Sequence, residues 1–156
     1  MASQAQPWRQ AVKRGAMRSS AMVGAIFLLL AIVLVAIALA THDGNDPSLS
    51  TAAGGPAANV LGTPGAYLSD LSYFLFGPPV ALLLPLMLVA ATRLWRDVAM
   101  TGWGQRLTGT LFGIALISVA LSLFKWDTFG GLPAGLGGVV GLSGAGVLGW
   151  LVGFIP

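Results

Sequence analysis

Between Ser19 and Ala40 the chain runs for 22 residues without one charged side chain, and Ala, Leu, Ile and Val dominate the stretch. Wound as an α-helix it would be about 33 Å long, close to the roughly 30 Å hydrocarbon core of a bilayer. Lipid offers no hydrogen-bond partners, so a chain that crosses it must satisfy its backbone internally, as a helix does. Four basic residues precede the run, Arg9, Lys13, Arg14 and Arg18. A basic start and the Ala38-Leu39-Ala40 triplet also suit a secretory signal peptide. The apolar region of a signal peptide, however, is typically about 7–15 residues. The run is therefore read as an uncleaved span.

A soluble domain would need more charge than this chain has. Only 8% of its residues are charged and 56% are hydrophobic, against roughly 25% charged in ordinary globular domains. A second uncharged stretch covers 107–124. The net charge of +3 comes from basic residues scattered over short segments, and no dense basic stripe suggests contact with nucleic acid. The chain has no cysteine, which excludes disulfides and thiolate metal sites.

Residues 41–64 read as a loop, dense in turn formers from Thr41 to Ser48 and again at Gly54-Gly55-Pro56. Thr63-Pro64 resembles a helix start, with Thr63 as N-cap and Pro64 at the first helical position. A second span is expected over about 66–92, kinked near Gly77-Pro78-Pro79. The alternative is a helix over 65–76 at the outer surface, followed by a steep helix from 78. A third span covers 107–124, and Lys125-Trp126-Asp127 ends it at an interface. The segment 138–155 is apolar but rich in glycine, and is either a span or a helix lying at the outer surface. The expected fold is an all-α membrane protein: a polytopic helical bundle of three transmembrane helices plus a Gly-rich C-terminal segment. Residues 1–18 form a basic tail and 19–156 the transmembrane domain.

Orientation follows from the basic residues beside the spans. The tail and the 93–106 turn hold all of them except Lys125, with Arg93, Arg96 and Arg106 in the turn. The N-terminus and that turn are expected in the cytoplasm, and the 41–65 loop outside it. Trp8, Trp95, Trp103 and Trp126 lie near span ends, where indoles favour the headgroup layer.

No catalytic or cofactor chemistry can be assembled from these residues. His42 is the one histidine, too few for a metal site of three or four ligands, and an exposed loop histidine gives no Ser/His/Asp set a centre. It reads as a solvated loop residue. No phosphate-binding loop occurs. Asp70 is the one acid expected within a span, and such acids are functional candidates. Near the positive end of its helix it could equally rest without a role. With Ser69 and Ser72 it offers polar contact to a neighbouring helix or protomer, and Gly109 and Gly113 offer close approach in the third span.

The loop carries a further signal. Asp46-Pro47-Ser48, then Asn59-Val60-Leu61-Gly62-Thr63-Pro64-Gly65-Ala66-Tyr67-Leu68-Ser69-Asp70, then Phe74-Leu75-Phe76-Gly77 and Gly137-Gly138-Val139-Val140-Gly141 follow in order. Together they resemble the N-terminal membrane domain of the bacterial FtsK/SpoIIIE DNA translocases, with Asp46, Pro47, Ser48, Gly62, Pro64 and Gly65 as its marks in the loop. The resemblance implies a membrane-anchoring and divisome-interaction domain in the bacterial inner membrane at the division septum. Its partners would be the bilayer, other cell-division membrane proteins and further copies of itself. The family's linker and ATP-driven motor have no counterpart here, so the chain reads as an N-terminal fragment with no enzymatic activity, no cofactor and no nucleic-acid contact. The rival reading is a small accessory transmembrane subunit of an unrelated membrane complex.

Overall fold

The computed structural model describes residues 6–124 and 131–153, and every regular element in them is helical. α1 runs Gln6–Ala40, α2 Gly62–Phe76, α3 Leu83–Trp95, α4 Trp103–Leu123 and α5 Gly138–Gly153, with a 3₁₀ segment Pro78–Leu82 leading into α3. Lys125, Trp126 and Asp127, and the last residues of the expected 138–155 segment, lie outside the described residues.

Among the described residues three helical stretches are long and apolar enough to cross a membrane: Trp8–Ala40, Pro78–Trp95 and Trp103–Leu123. α5 is apolar and shorter. The packing suits lipid rather than water. The buried apolar core is short and small, comprising Ala25, Ala38, Leu39, Ala66, Val80, Ala90, Ala91 and Ile114, while Phe27, Val33, Phe112, Leu116 and Val147 are all more than half exposed. In water such a surface would aggregate; in a bilayer it meets acyl chains, and small residues let helices approach closely. α1 packs along α3, and α4 along α5.

The structure differs from the expectation of one kinked helix over 66–92. α2 stops at Phe76, and Gly77 stands at φ 65°, ψ −165°, a conformation that breaks the rod. Its N–H still bonds Tyr73 O at 2.8 Å. Pro78 and Pro79 then supply no donors, so the ladder cannot continue. α2 also opens at Gly62 with no side-chain cap, so Thr63 is not the N-cap. α4 begins at Trp103, earlier than the 107 expected.

At this break α2, α4 and α5 meet. The Ser118 hydroxyl, fully buried, donates to Phe76 O at 2.7 Å, satisfying a carbonyl that the end of α2 leaves open. A Cβ on Gly77 would fall 2.1 Å from Leu136 O, and one on Gly138, at φ 60°, 2.6 Å from the Leu75 carbonyl. Only glycine fits both the left-handed backbone and the space. Gly137 and Gly141 lie flush against Ser118 and Ser122 of α4 in the same way. Ser122 is the informative contrast, because its buried hydroxyl has no hydrogen-bond partner among the described residues. Ser118→Ala should lower stability by about 1–2 kcal/mol, whereas Ser122→Ala should be neutral or stabilising. Denaturation midpoints of the two variants in one detergent check this.

Candidate functional site

The last carbonyls of a helix have no partner within it, and where apolar surroundings exclude water they must find one elsewhere. At the end of α1 the 41–61 loop supplies them. The Thr41 N–H bonds Ile37 O at 2.9 Å, and its hydroxyl donates to the same oxygen at 2.8 Å. Asn59 Nδ2 donates to Ala38 O at 2.9 Å and to Thr41 O at 3.1 Å. The Tyr73 hydroxyl of α2 donates to Leu39 O at 2.9 Å. Asn59 is only 3% exposed, and its Oδ1 accepts the Leu61 N–H at 3.1 Å. A Cβ on Gly65 would fall 2.1 Å from that Oδ1. Gly65 therefore admits Asn59 to the first turn of α2.

Two buried carboxylates close the loop. Asp46, 4% exposed, accepts the N–H groups of Ala58 at 2.6 Å and Asn59 at 3.0 Å, joining the two halves of the loop. Asp70, 2% exposed on α2, accepts the Ser50 N–H at 3.1 Å and the Ser50 hydroxyl. It borders a pocket of about 140 Å³ with Leu49, Leu71 and Phe74. Residues 41–92 contain no Lys or Arg, so both carboxylates rest on neutral donors. A carboxylate holding backbone N–H groups is a strong hydrogen-bond acceptor without a counter-ion. Smaller turns complete the loop: Asp43 Oδ1 accepts from Asn45 N–H at 2.9 Å, and the Thr51 hydroxyl donates to Gly44 O at 3.1 Å.

Ser69, fully buried, donates to Ala66 O at 3.1 Å and lies 3.0 Å from His42 Nδ1. His42 stands edge-on to Tyr73, ring centroids 4.8 Å apart, and its Nε2 is buried without a hydrogen-bond partner among the described residues. The expectation of a solvated loop histidine is thus corrected: the ring packs between the end of α1 and α2.

The other candidates distribute unevenly. Gly62 opens α2 at φ 66°, and Pro64 lies in its first turn, where no N–H is needed. Pro47 and Ser48 are half-buried beside Asp46, with Ser48 N–H bonding Thr51 O at 3.1 Å. The Ser72 hydroxyl returns to its own helix at Leu68 O, 2.7 Å. Among the described residues nothing lies within 4 Å of the Cβ positions of Gly109 and Gly113; Gly113 borders an open groove between α3 and α4. The close small-residue contact is instead Gly137, Gly138 and Gly141 against α2 and α4. Asn59 and Tyr73 received no role from sequence, although both lie in or beside the segment bearing the resemblance. Among the described residues no group of three or more His, Asp or Glu could hold a metal ion.

The arrangement joins helix ends and fixes a loop. Residues 18–156 match the family described as the 4TM region of DNA translocase FtsK/SpoIIIE. DNA translocase FtsK of Brucella melitensis is 37% identical over 131 residues, covering 82% of this chain and 16% of its own length. The Caulobacter vibrioides protein of the same name is 32% identical over 116 residues, covering 74% of this chain and 10% of its own. That of Vibrio parahaemolyticus is 37% identical over 123 residues, covering 72% and 11%. The chain thus spans well under a fifth of these relatives. No solved structure matches it.

Proposed function

Since the chain belongs to the FtsK/SpoIIIE 4TM family, we propose that it anchors a DNA translocase in the membrane and docks it to the cell-division apparatus through the 41–61 loop. Homology and apolar helices together make it a multi-pass inner-membrane protein. Its residues correspond to the membrane region of the translocases and not to the motor, and they are not catalytic. Docking is the further step, and one observation carries it. The loop is held by two buried carboxylates and Asn59, yet Leu49 and Val60 remain 66% and 70% exposed. A segment that only connected helices would need neither the buried polar set nor the apolar side chains standing off it, and fixed loops of this kind often carry recognition. Chromosome segregation would then belong to the motor that this region tethers. Gly109 and Gly113, open on α4, are proposed as contacts to a further membrane helix, in another copy or a division protein.

The test is a fluorescent fusion of this chain in dividing cells. Septal enrichment is expected, and replacing 43–60 by a Gly/Ser linker should abolish it. Uniform membrane fluorescence of the unaltered fusion would reject the reading. A septal band that survives the linker would move targeting to the helices.

The proposed orientation puts the N-terminus in the cytoplasm and the loop outside it, from the distribution of basic residues. An impermeant thiol reagent on spheroplasts should label Ala52→Cys and leave Ala11→Cys unlabelled. The reverse pattern would invert the topology.

A further inference from the structure

We propose that the basic end of the bundle holds the headgroup of an anionic glycerophospholipid, of the phosphatidylglycerol type, in a cleft between α1 and the α3–α4 turn. The cleft has a volume of about 460 Å³ and is lined by Arg14, Gly15, Met17, Arg18 and Asp97. Its depth in the bilayer follows from the sequence of α1. Arg18 directly precedes the uncharged run that begins at Ser19, so it stands at the edge of the hydrocarbon. α3 packs along α1 and ends at Trp95, which brings Asp97 to the same level. The cleft therefore opens into the headgroup layer, where a phosphodiester is always at hand.

Its chemistry fits that ligand. Arg14 and Arg18 are one helical turn apart and present two guanidinium forks on one face, the geometry that grips phosphate oxygens in pairs. Both are exposed. Arg9 lies 5.6 Å from the Trp8 ring, and Arg9 and Lys13 do not line the cleft. Met17, 62% exposed, offers an apolar edge toward the acyl chains. Asp97 stands in a left-handed turn at φ 54°, its N–H bonding Leu94 O at 3.2 Å. As an acceptor on the opposite wall it suits the hydroxyls of a glycerol headgroup. The field of the whole end favours an anion, because Arg93, Arg96 and Arg106 join the tail's four basic residues against this single acid.

The protein reconstituted in nanodiscs of equal phosphatidylglycerol and phosphatidylcholine, then released for native mass spectrometry, tests the site. Phosphatidylglycerol should remain bound in preference to phosphatidylcholine. Arg14→Gln with Arg18→Gln should cut that preference about tenfold. Arg9→Gln with Lys13→Gln removes the same charge from the other side of the helix and should change it less than about twofold. Circular dichroism of both variants should match the parent, since all four side chains are exposed. Equal losses in the two double variants would show a diffuse field in place of a site and overturn the proposal. So would the absence of any preference in the parent protein.

Discussion

Gly138→Val should destabilise the bundle by at least about 3 kcal/mol, the sum of left-handed strain in a β-branched residue and overlap with a backbone that cannot swing aside. The atoms a Cβ would meet at 2.6–2.7 Å are the Leu75 carbonyl and Phe76 N, both main-chain atoms at the end of α2. Relief requires α5 to lift from α2 and from Ser118, the residue that ties α4 to the same carbonyl end. Gly149→Ala in the same helix has the opposite sign. Nothing lies within 4 Å of its Cβ position, and replacing an interior helical glycine gains up to about 1 kcal/mol. Denaturation of the two variants in one detergent should move their midpoints in opposite directions. Equal shifts would mean that α5 does not pack on α2 as described.

Asn59→Ala should cost about 3 kcal/mol. It leaves Ala38 O, Thr41 O and Leu61 N–H without the partners they have at 2.9, 3.1 and 3.1 Å, at about 1–3 kcal/mol for each group that water does not reach. Asn59→Asp tests the direction of the bonds as well as their number. A carboxylate can still accept from Leu61 but cannot donate, and it sets negative charge against two carbonyl oxygens. It should be at least as damaging as alanine despite its nearly identical shape. If Asp at 59 were tolerated while Ala was not, the amide would be filling space and not capping α1.

Much of this was legible in the sequence because the bilayer imposes a coarse code. The uncharged runs at 19–40 and 107–124 mark α1 and α4, and glycine and proline at 77–79 mark a break. A period of apolar residues does not distinguish a kinked helix from two helices, and that ambiguity was resolved by Gly77 adopting a left-handed turn under Leu136. The loop was harder. Asp46 and Asp70 stood out as acids, but their partners are backbone N–H groups and a serine 12 to 20 positions away, and main-chain donors leave no trace in residue identity. Asn59 and Tyr73 act on the carbonyls of α1, which any sequence would provide. His42 was misread for a related reason: a single histidine carries no spacing, and its burial depends on where α2 lies. Gly109 and Gly113 had the spacing of a contact and Gly137, Gly138 and Gly141 made one, because close approach depends on which helix stands opposite.

Amide hydrogen exchange across residues 41–61 in nanodiscs bears most directly on the claim that this loop is a fixed part of the bundle, shaped to be recognised. The N–H groups of Ser50, Ala58, Asn59 and Leu61 donate to Asp70, Asp46, Asp46 and Asn59. Those four should exchange at least about a hundredfold more slowly than Ala52 or Gly54, and Asp46→Ala should release Ala58 and Asn59 together. Fast exchange spread evenly from 41 to 61, unchanged by Asp46→Ala, would contradict the account.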